Sequence, residues 1–142
     1  MPRTTIQRLS ISMDAGLVAR LDSMARAKGF ASRSQAVSDM VRAHLVEHYG
    51  RSSRHAIAGT ITLVYDHHQR NLQRLLTAIQ HDHSDLIVAA LHVHLDHHNC
   101  MEILAVRGTA GAARRLADGL TATRGVKHGR LTLTTTGREF PK

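Results

Sequence analysis

The chain contains no tryptophan, and only two tyrosines and two phenylalanines, in 142 residues. A core with so few rings has to be aliphatic. The single cysteine cannot close an internal disulfide, so nothing in the thiol content argues for an oxidising compartment. Long apolar runs are missing as well. The longest, Leu86–Leu91, is far shorter than the ~20 residues a membrane-spanning helix needs, and no signal peptide opens the chain. The expected protein therefore has no membrane partner and is cytoplasmic. Acidic residues are outnumbered, 11 against 19 Lys and Arg, for a net charge of +8. The excess is uneven, because residues 1–55 hold nine Lys or Arg against four Asp or Glu. That density fits a polyanionic partner for the first third, although a merely soluble basic surface has the same composition. The length suits one ordinary domain or two small ones, and small domains bury too little surface to be robust without oligomerising.

What is present begins with periodicity. Residues 8–13, RLSISM, alternate strictly, with Arg8, Ser10 and Ser12 on one face and Leu9, Ile11 and Met13 on the other, which is the pattern of a half-buried strand. Asp14 reads as a helix N-cap, followed by Leu17, Val18, Leu21, Met24 and Ala25 at helical spacing and by Gly29 as a stop. A second helix restarts at Ser32 or Ser34, with Val37, Met40, Val41 and Leu45 as its apolar stripe. One strand and two helices leave the strand without a ladder partner. Pairing it with the same strand of a second chain gives a two-stranded ribbon, with Leu9, Ile11 and Met13 against the helices and Arg8, Ser10 and Ser12 displayed twice. Such a ribbon fits the major groove of duplex DNA, where Arg and Ser reach base edges.

Residues 51–55, within the polar stretch GRSSRH, read as a linker between a domain at 1–50 and a second at 56–142. In the second domain AIAGTITLVYD is strand-like, and HQRNLQRLLTAIQHD carries Leu72, Leu75, Leu76 and Ile79 at helical spacing. DLIVAALHVHL and CMEILAVRG are strands joined by a tight connection, TAGAARRLADGLTATRG is a small-residue helix closing at Gly125, and VKHGRLTLTTT is a last strand. The order βαββαβ predicts a ferredoxin-like sandwich, so the fold class is α+β.

Histidine is abundant where the aromatics are not. Eight of the twelve histidines fall between His67 and His98, and LHVHLDHHNC places four of them beside Cys100. His92 and His94 leave the same face of the predicted strand, and a short turn leads to Cys100 on the antiparallel neighbour. Two imidazoles and a thiolate can so come within one coordination sphere, with bonds of roughly 2 Å. The plainer reading is of strand histidines that merely face solvent; the sole cysteine and the nearby His81, His83, His97 and His98 weigh against it. Cys–His nucleophilic catalysis is a further use of the same residues, but no orienting carboxylate or oxyanion motif accompanies them. A square-planar N,S set favours Ni(II) or Cu(II) and a tetrahedral one Zn(II). Donor identity leaves these open.

Taken together, RSQAV, QHDHSDL, LHVHLDHHNCMEI and RGVKHG resemble the nickel-responsive repressors of the ribbon-helix-helix class, over about Arg8 to Arg130. The resemblance implies a dimeric βαα DNA-binding domain and an ACT-like regulatory domain, assembled as a homotetramer that is a dimer of dimers. It implies square-planar Ni(II) held by His92, His94 and Cys100 of one subunit and His81 of its neighbour. It also implies operator DNA read by Arg8, Ser10 and Ser12, with Arg33 and Ser34 placed for phosphate contacts. A second cation site would fall at Gln35 and Asp39, where relatives often have a carboxylate in place of Gln35. Ser10 and Ser12 stand where some relatives carry threonine, so the operator sequence is expected to differ, and the arm MPRTTIQ offers Arg3 to DNA.

The expected protein is a nickel-dependent repressor with no enzymatic activity and no small-molecule substrate. A histidine-rich metal buffer, or a regulator answering to Cu(II), Co(II) or Zn(II), is the alternative. An antitoxin sharing the N-terminal fold would end in a disordered tail, which residues 56–142 do not resemble.

Overall fold

The computed structural model describes residues 5–140, so Arg3 lies outside the described residues. The chain divides into two compact units, one of the residues up to Leu45 together with Phe140, and one spanning Val46–Glu139.

In the first unit, α1 (Ala15–Ala27) opens on Asp14, whose carboxylate accepts the Leu17 N–H at 3.1 Å. It closes at Gly29, in the left-handed region at φ 75°. There the Phe30 N–H reaches the Ala25 carbonyl and the Gly29 N–H the Arg26 carbonyl, a Schellman end. The second helix, α2 (Arg33–Gly50), is capped by Ser32, whose hydroxyl accepts the Gln35 N–H at 3.2 Å. Gln35 reaches back to accept the Ala31 N–H at 2.8 Å, a variant of the capping box. Arg33 joins the two helices through a bidentate pair with Asp22, at 2.6 and 2.7 Å, and its guanidinium holds the Asp22 carboxyl below the usual range.

The expected strand over residues 8–13 does not form within one chain. Leu9 and Ile11, expected against the helices, are 80% and 59% exposed. The alternation supplies a face but no ladder, and among the described residues no strand of this unit pairs with it. Only Ala25 and Ala36 of this unit's described residues are buried.

The second unit has the expected βαββαβ order: β1 (Ala56–Asp66), α3 (Leu72–Asp82), β2 (Ile87–His94), β3 (Asn99–Thr109), α4 (Ala110–Thr121) and β4 (Val126–Thr134). The strands form one antiparallel sheet ordered β2-β3-β1-β4, the ferredoxin-like arrangement. Ile57, Ile61, Leu63 and Tyr65 of β1 and Leu104 and Val106 of β3 pack with Leu72 and Leu76 of α3 and Leu116 and Leu120 of α4. The core is thus aliphatic apart from Tyr65 and Cys100. The other sheet face, with Ala58, Thr60 and Thr62 of β1, stays partly open. The segment before β1 is bound to the start of α4, where the Gly111 N–H donates to Ser53 and the Ala110 N–H to His55, both at 2.9 Å. A side chain at Gly111 would come within 2.9 Å of Ser53, so the glycine permits this approach.

Candidate metal centre

Strand register brings the cluster together. Cys100 of β3 lies between Tyr65 of β1 and His94 of β2, and Glu102 lies between Leu63 and His92. Alternation then sends Tyr65, His92, His94, Cys100 and Glu102 to the helix-covered face of the sheet. Cys100 has no exposed surface, whereas His94 is exposed.

The Cys100 Sγ lies 3.4 Å from His94 Nδ1 and 3.3 Å from His67 Nδ1. The donor atoms of these three residues lie within 4.8 Å of one another, and two imidazoles with a thiol are a donor set suited to a late first-row ion. His67 is the residue that sequence reasoning missed. It follows β1, and its backbone N–H donates to the His98 carbonyl at 3.1 Å, so its nearness to Cys100 depends on β1 pairing with β3. Burial first, then the neighbouring His68 and His94, lowers the His67 pKa.

His92 stands one pair further along the strand, in a different setting. The buried Tyr65 hydroxyl donates to Glu102 Oε2 at 2.9 Å, and Gln80 Nε2 donates to Glu102 Oε1 at 2.6 Å. Since the phenol has one proton and gives it to Glu102, the 3.1 Å contact between Tyr65 and His92 Nε2 makes His92 the donor. His92 Nδ1, 3.9 Å from Glu102 Oε2, is then the nitrogen without a proton, and His92 does not join the donors that converge on Cys100. Burial, followed by the Glu102 hydrogen bond, pushes the Tyr65 pKa well up, so the phenol keeps its proton. His81 is exposed in the last turn of α3, next to Gln80 and outside the group of converging donors.

Burial is also the main reason the Cys100 thiol is pushed up, with the Asp66, Glu102 and Asp96 charges adding to it. A metal must displace that proton. Affinity should therefore climb about tenfold per pH unit while one proton is released per ion, and the climb should continue to higher pH than for an ordinary thiol. Competition titrations between about pH 6 and 9 would read the slope, with a flat profile excluding Cys100 as a ligand.

At the other expected positions, Arg8, Ser10, Ser12 and Ser34 are exposed, as is Asp39, one turn after Gln35. The Gln35 side-chain oxygen is engaged with Ala31 and the Arg33 guanidinium with Asp22.

Comparison with known proteins matches residues 58–134 to the model of the NikR C-terminal nickel-binding domain and residues 7–47 to that of ribbon-helix-helix proteins of the CopG family. A putative nickel-responsive regulator of Solibacter usitatus is 48% identical over 95% of this chain and 97% of its own. One from Desulfovibrio desulfuricans is 50% identical over the same shares. Among solved structures, an uncharacterised Thermotoga maritima protein is similar in fold, with TM-score 0.51 and 14% identity over 56% of this chain and 99% of its own. Two domain models in the order expected for a regulator, and near-half identity along almost the whole length, lead to one conclusion: this chain belongs to the nickel-responsive regulator family, whose members are regulators and not enzymes.

Proposed function

We propose that the protein is a nickel-dependent transcriptional repressor acting in the cytoplasm. Ni(II) would be held by His92, His94 and Cys100 of one subunit and His81 of a second, in a homotetramer built as a dimer of dimers. The division into residues 1–50, 51–55 and 56–142 assigns DNA binding to the first part and metal sensing to the last. The observation that carries this reading is the sheet face itself. Register pairs His94 with the buried Cys100 and sets His92 two residues along on the same face, with the His92 ring in hydrogen-bond contact with Tyr65.

Assembly is supported by what one chain leaves uncovered. Leu9, Ile11 and Met13 are exposed, and so are Met40 and Val41. A second copy would cover them and complete the ribbon, turning Arg8, Ser10 and Ser12 toward operator DNA. Arg33 and Ser34 stand at the start of α2, next to where the phosphate backbone would pass. A second cation between Gln35 and Asp39 would have to share the Gln35 oxygen that already accepts the Ala31 N–H.

Binding to a promoter library with and without stoichiometric Ni(II) tests the repressor reading. Nickel-dependent retention of a few operators is the expected result; several equivalent ions per chain with no DNA retained would mark a buffer instead. Arg8→Ala should cost roughly 1–3 kcal/mol of specific binding for each base that the guanidinium reads, with melting temperature and nickel affinity unchanged. Unaltered operator affinity would mean that residues 8–13 do not read DNA in this register. For the shared site, mixing His81→Ala with Cys100→Ala protein should regenerate some intact sites once subunit exchange has been demonstrated. Absence of rescue would mean that the site is built within one chain, where His67 stands in place of His81 as the fourth donor.

A further inference from the structure

Arg33 is the first residue of α2, and its side chain is 64% exposed although it is paired with Asp22 of α1. The pairing is side-on: Nε donates to one Asp22 carboxylate oxygen at 2.6 Å and Nη2 to the other at 2.7 Å. A guanidinium holds five N–H groups in one plane, so this pair occupies two of them. Both hydrogens of Nη1 and the second of Nη2 remain. One from each nitrogen makes the outer edge of the fork, which matches two oxygens of a phosphate group. Resting on the repressor reading above, we propose that Asp22 is a positioning residue, which holds Arg33 so that this outer edge meets one phosphate of the DNA backbone.

The carboxylate can serve as a mount because the turn between the helices is pinned. Phe30 N–H is bound to the Ala25 carbonyl, the Gln35 side chain holds the Ala31 N–H, and the Ser32 hydroxyl holds the Gln35 N–H. Arg26, one turn further along α1, is a second cation near the carboxylate. Among the described residues, however, the carboxylate's side-chain bonds go to Arg33 alone. The start of α2 also presents N–H groups and the positive end of a helix dipole, a favourable field for an anion that approaches Arg33. Asp22 has two opposed effects on that anion. Its negative charge repels the phosphate, and its grip orders the cation before DNA arrives, so that fewer rotamers are lost on binding. Exposed charge is screened within roughly 8 Å at physiological salt, whereas ordering is indifferent to salt. The ordering therefore prevails.

Affinities of the nickel-loaded full-length protein for an operator from the promoter library, at two salt concentrations, test this. Asp22→Asn removes a negative charge, so charge alone would tighten binding. The expected result is the opposite, a loss of roughly threefold per Arg33 and hence about tenfold for a ribbon of two chains, with nickel affinity unchanged. Arg33→Ala should lower the salt slope by about 1 per chain bound. In that background Asp22→Asn should no longer weaken binding, since no arginine is left to aim. Arg33→Lys keeps the charge but lacks the fork, and in its background too Asp22→Asn should cost little. A merely structural role for Asp22 would weaken binding equally in every background and lower the melting temperature. The positioning role is overturned if Asp22→Asn binds operator as tightly as the parent, or if its loss persists undiminished without Arg33. A parent that retains no DNA at any nickel level would sink the repressor reading and this role with it. A parent that binds, matched by Asp22→Asn, sinks this role alone.

Discussion

Cys100→Ala removes tight nickel binding while the second unit still folds. The side chain is small and wholly buried, so its truncation costs about 1 kcal/mol of packing, at the low end for core deletions. The thiolate, by contrast, is the donor that fits the centre to a late transition ion, and no other cysteine can substitute for it. Loss of an outer-shell partner typically costs about 10–100-fold in metal affinity, and loss of the thiolate should exceed that range. The thiolate-to-metal band should vanish with it. Competition with a chelator and an absorption titration read the two effects, and urea unfolding checks the fold. A variant retaining the band and parental affinity would show that the metal sits elsewhere.

A second large effect is expected at Glu102, which is 6% exposed and accepts from both Tyr65 and Gln80. Glu102→Ala orphans the buried Tyr65 hydroxyl, at about 1–3 kcal/mol, and frees the half-buried Gln80 amide, so a loss on the order of 1–3 kcal/mol is expected in urea unfolding. Glu102→Gln separates stability from function. With Gln80 held in its present orientation, an amide can face it with its oxygen only by turning its NH2 toward Tyr65. The phenol then accepts, and donates its own proton to His92 Nε2. His92 is thereby driven to the tautomer protonated at Nδ1, which closes that nitrogen to a metal. The variant should fold, show the changed tautomer in imidazole 15N spectra, and bind nickel about 10–100-fold more weakly. An unchanged tautomer with unchanged affinity would refute this positioning role.

What can be read from sequence follows the range of the interactions. Periodicity of two and of 3.6 is local, so the βαββαβ order and the common face of His92 and His94 are both legible. Gly29 ends its helix as expected because the left-handed stop is a property of one residue. His67, Tyr65 and Glu102 are not legible as parts of the centre. Their relevance depends on β1 pairing with β3 in one register, which joins residues some 35 positions apart, and no spacing rule encodes it. The Asp22–Arg33 pair is hidden for the same reason, since it depends on how two helices cross. RLSISM is the opposite case: its alternation is plain, but the ladder it calls for has no counterpart among the described residues of its own unit.

The Tyr65 hydroxyl, held between Glu102 and His92, also gives the protein an optical reporter of its own. With no tryptophan and only two tyrosines, near-ultraviolet emission is dominated by Tyr65 and by Tyr49, which stacks on His55 with ring centroids 4.5 Å apart. A phenol bound to a carboxylate loses its excited-state proton readily and is quenched. Any event that pulls His92 toward an ion shifts that hydrogen bond and changes the quantum yield. Tyr49→Phe leaves a single tyrosine emitter, placed one hydrogen bond from a metal ligand, so occupancy could be followed in real time without a dye or a label.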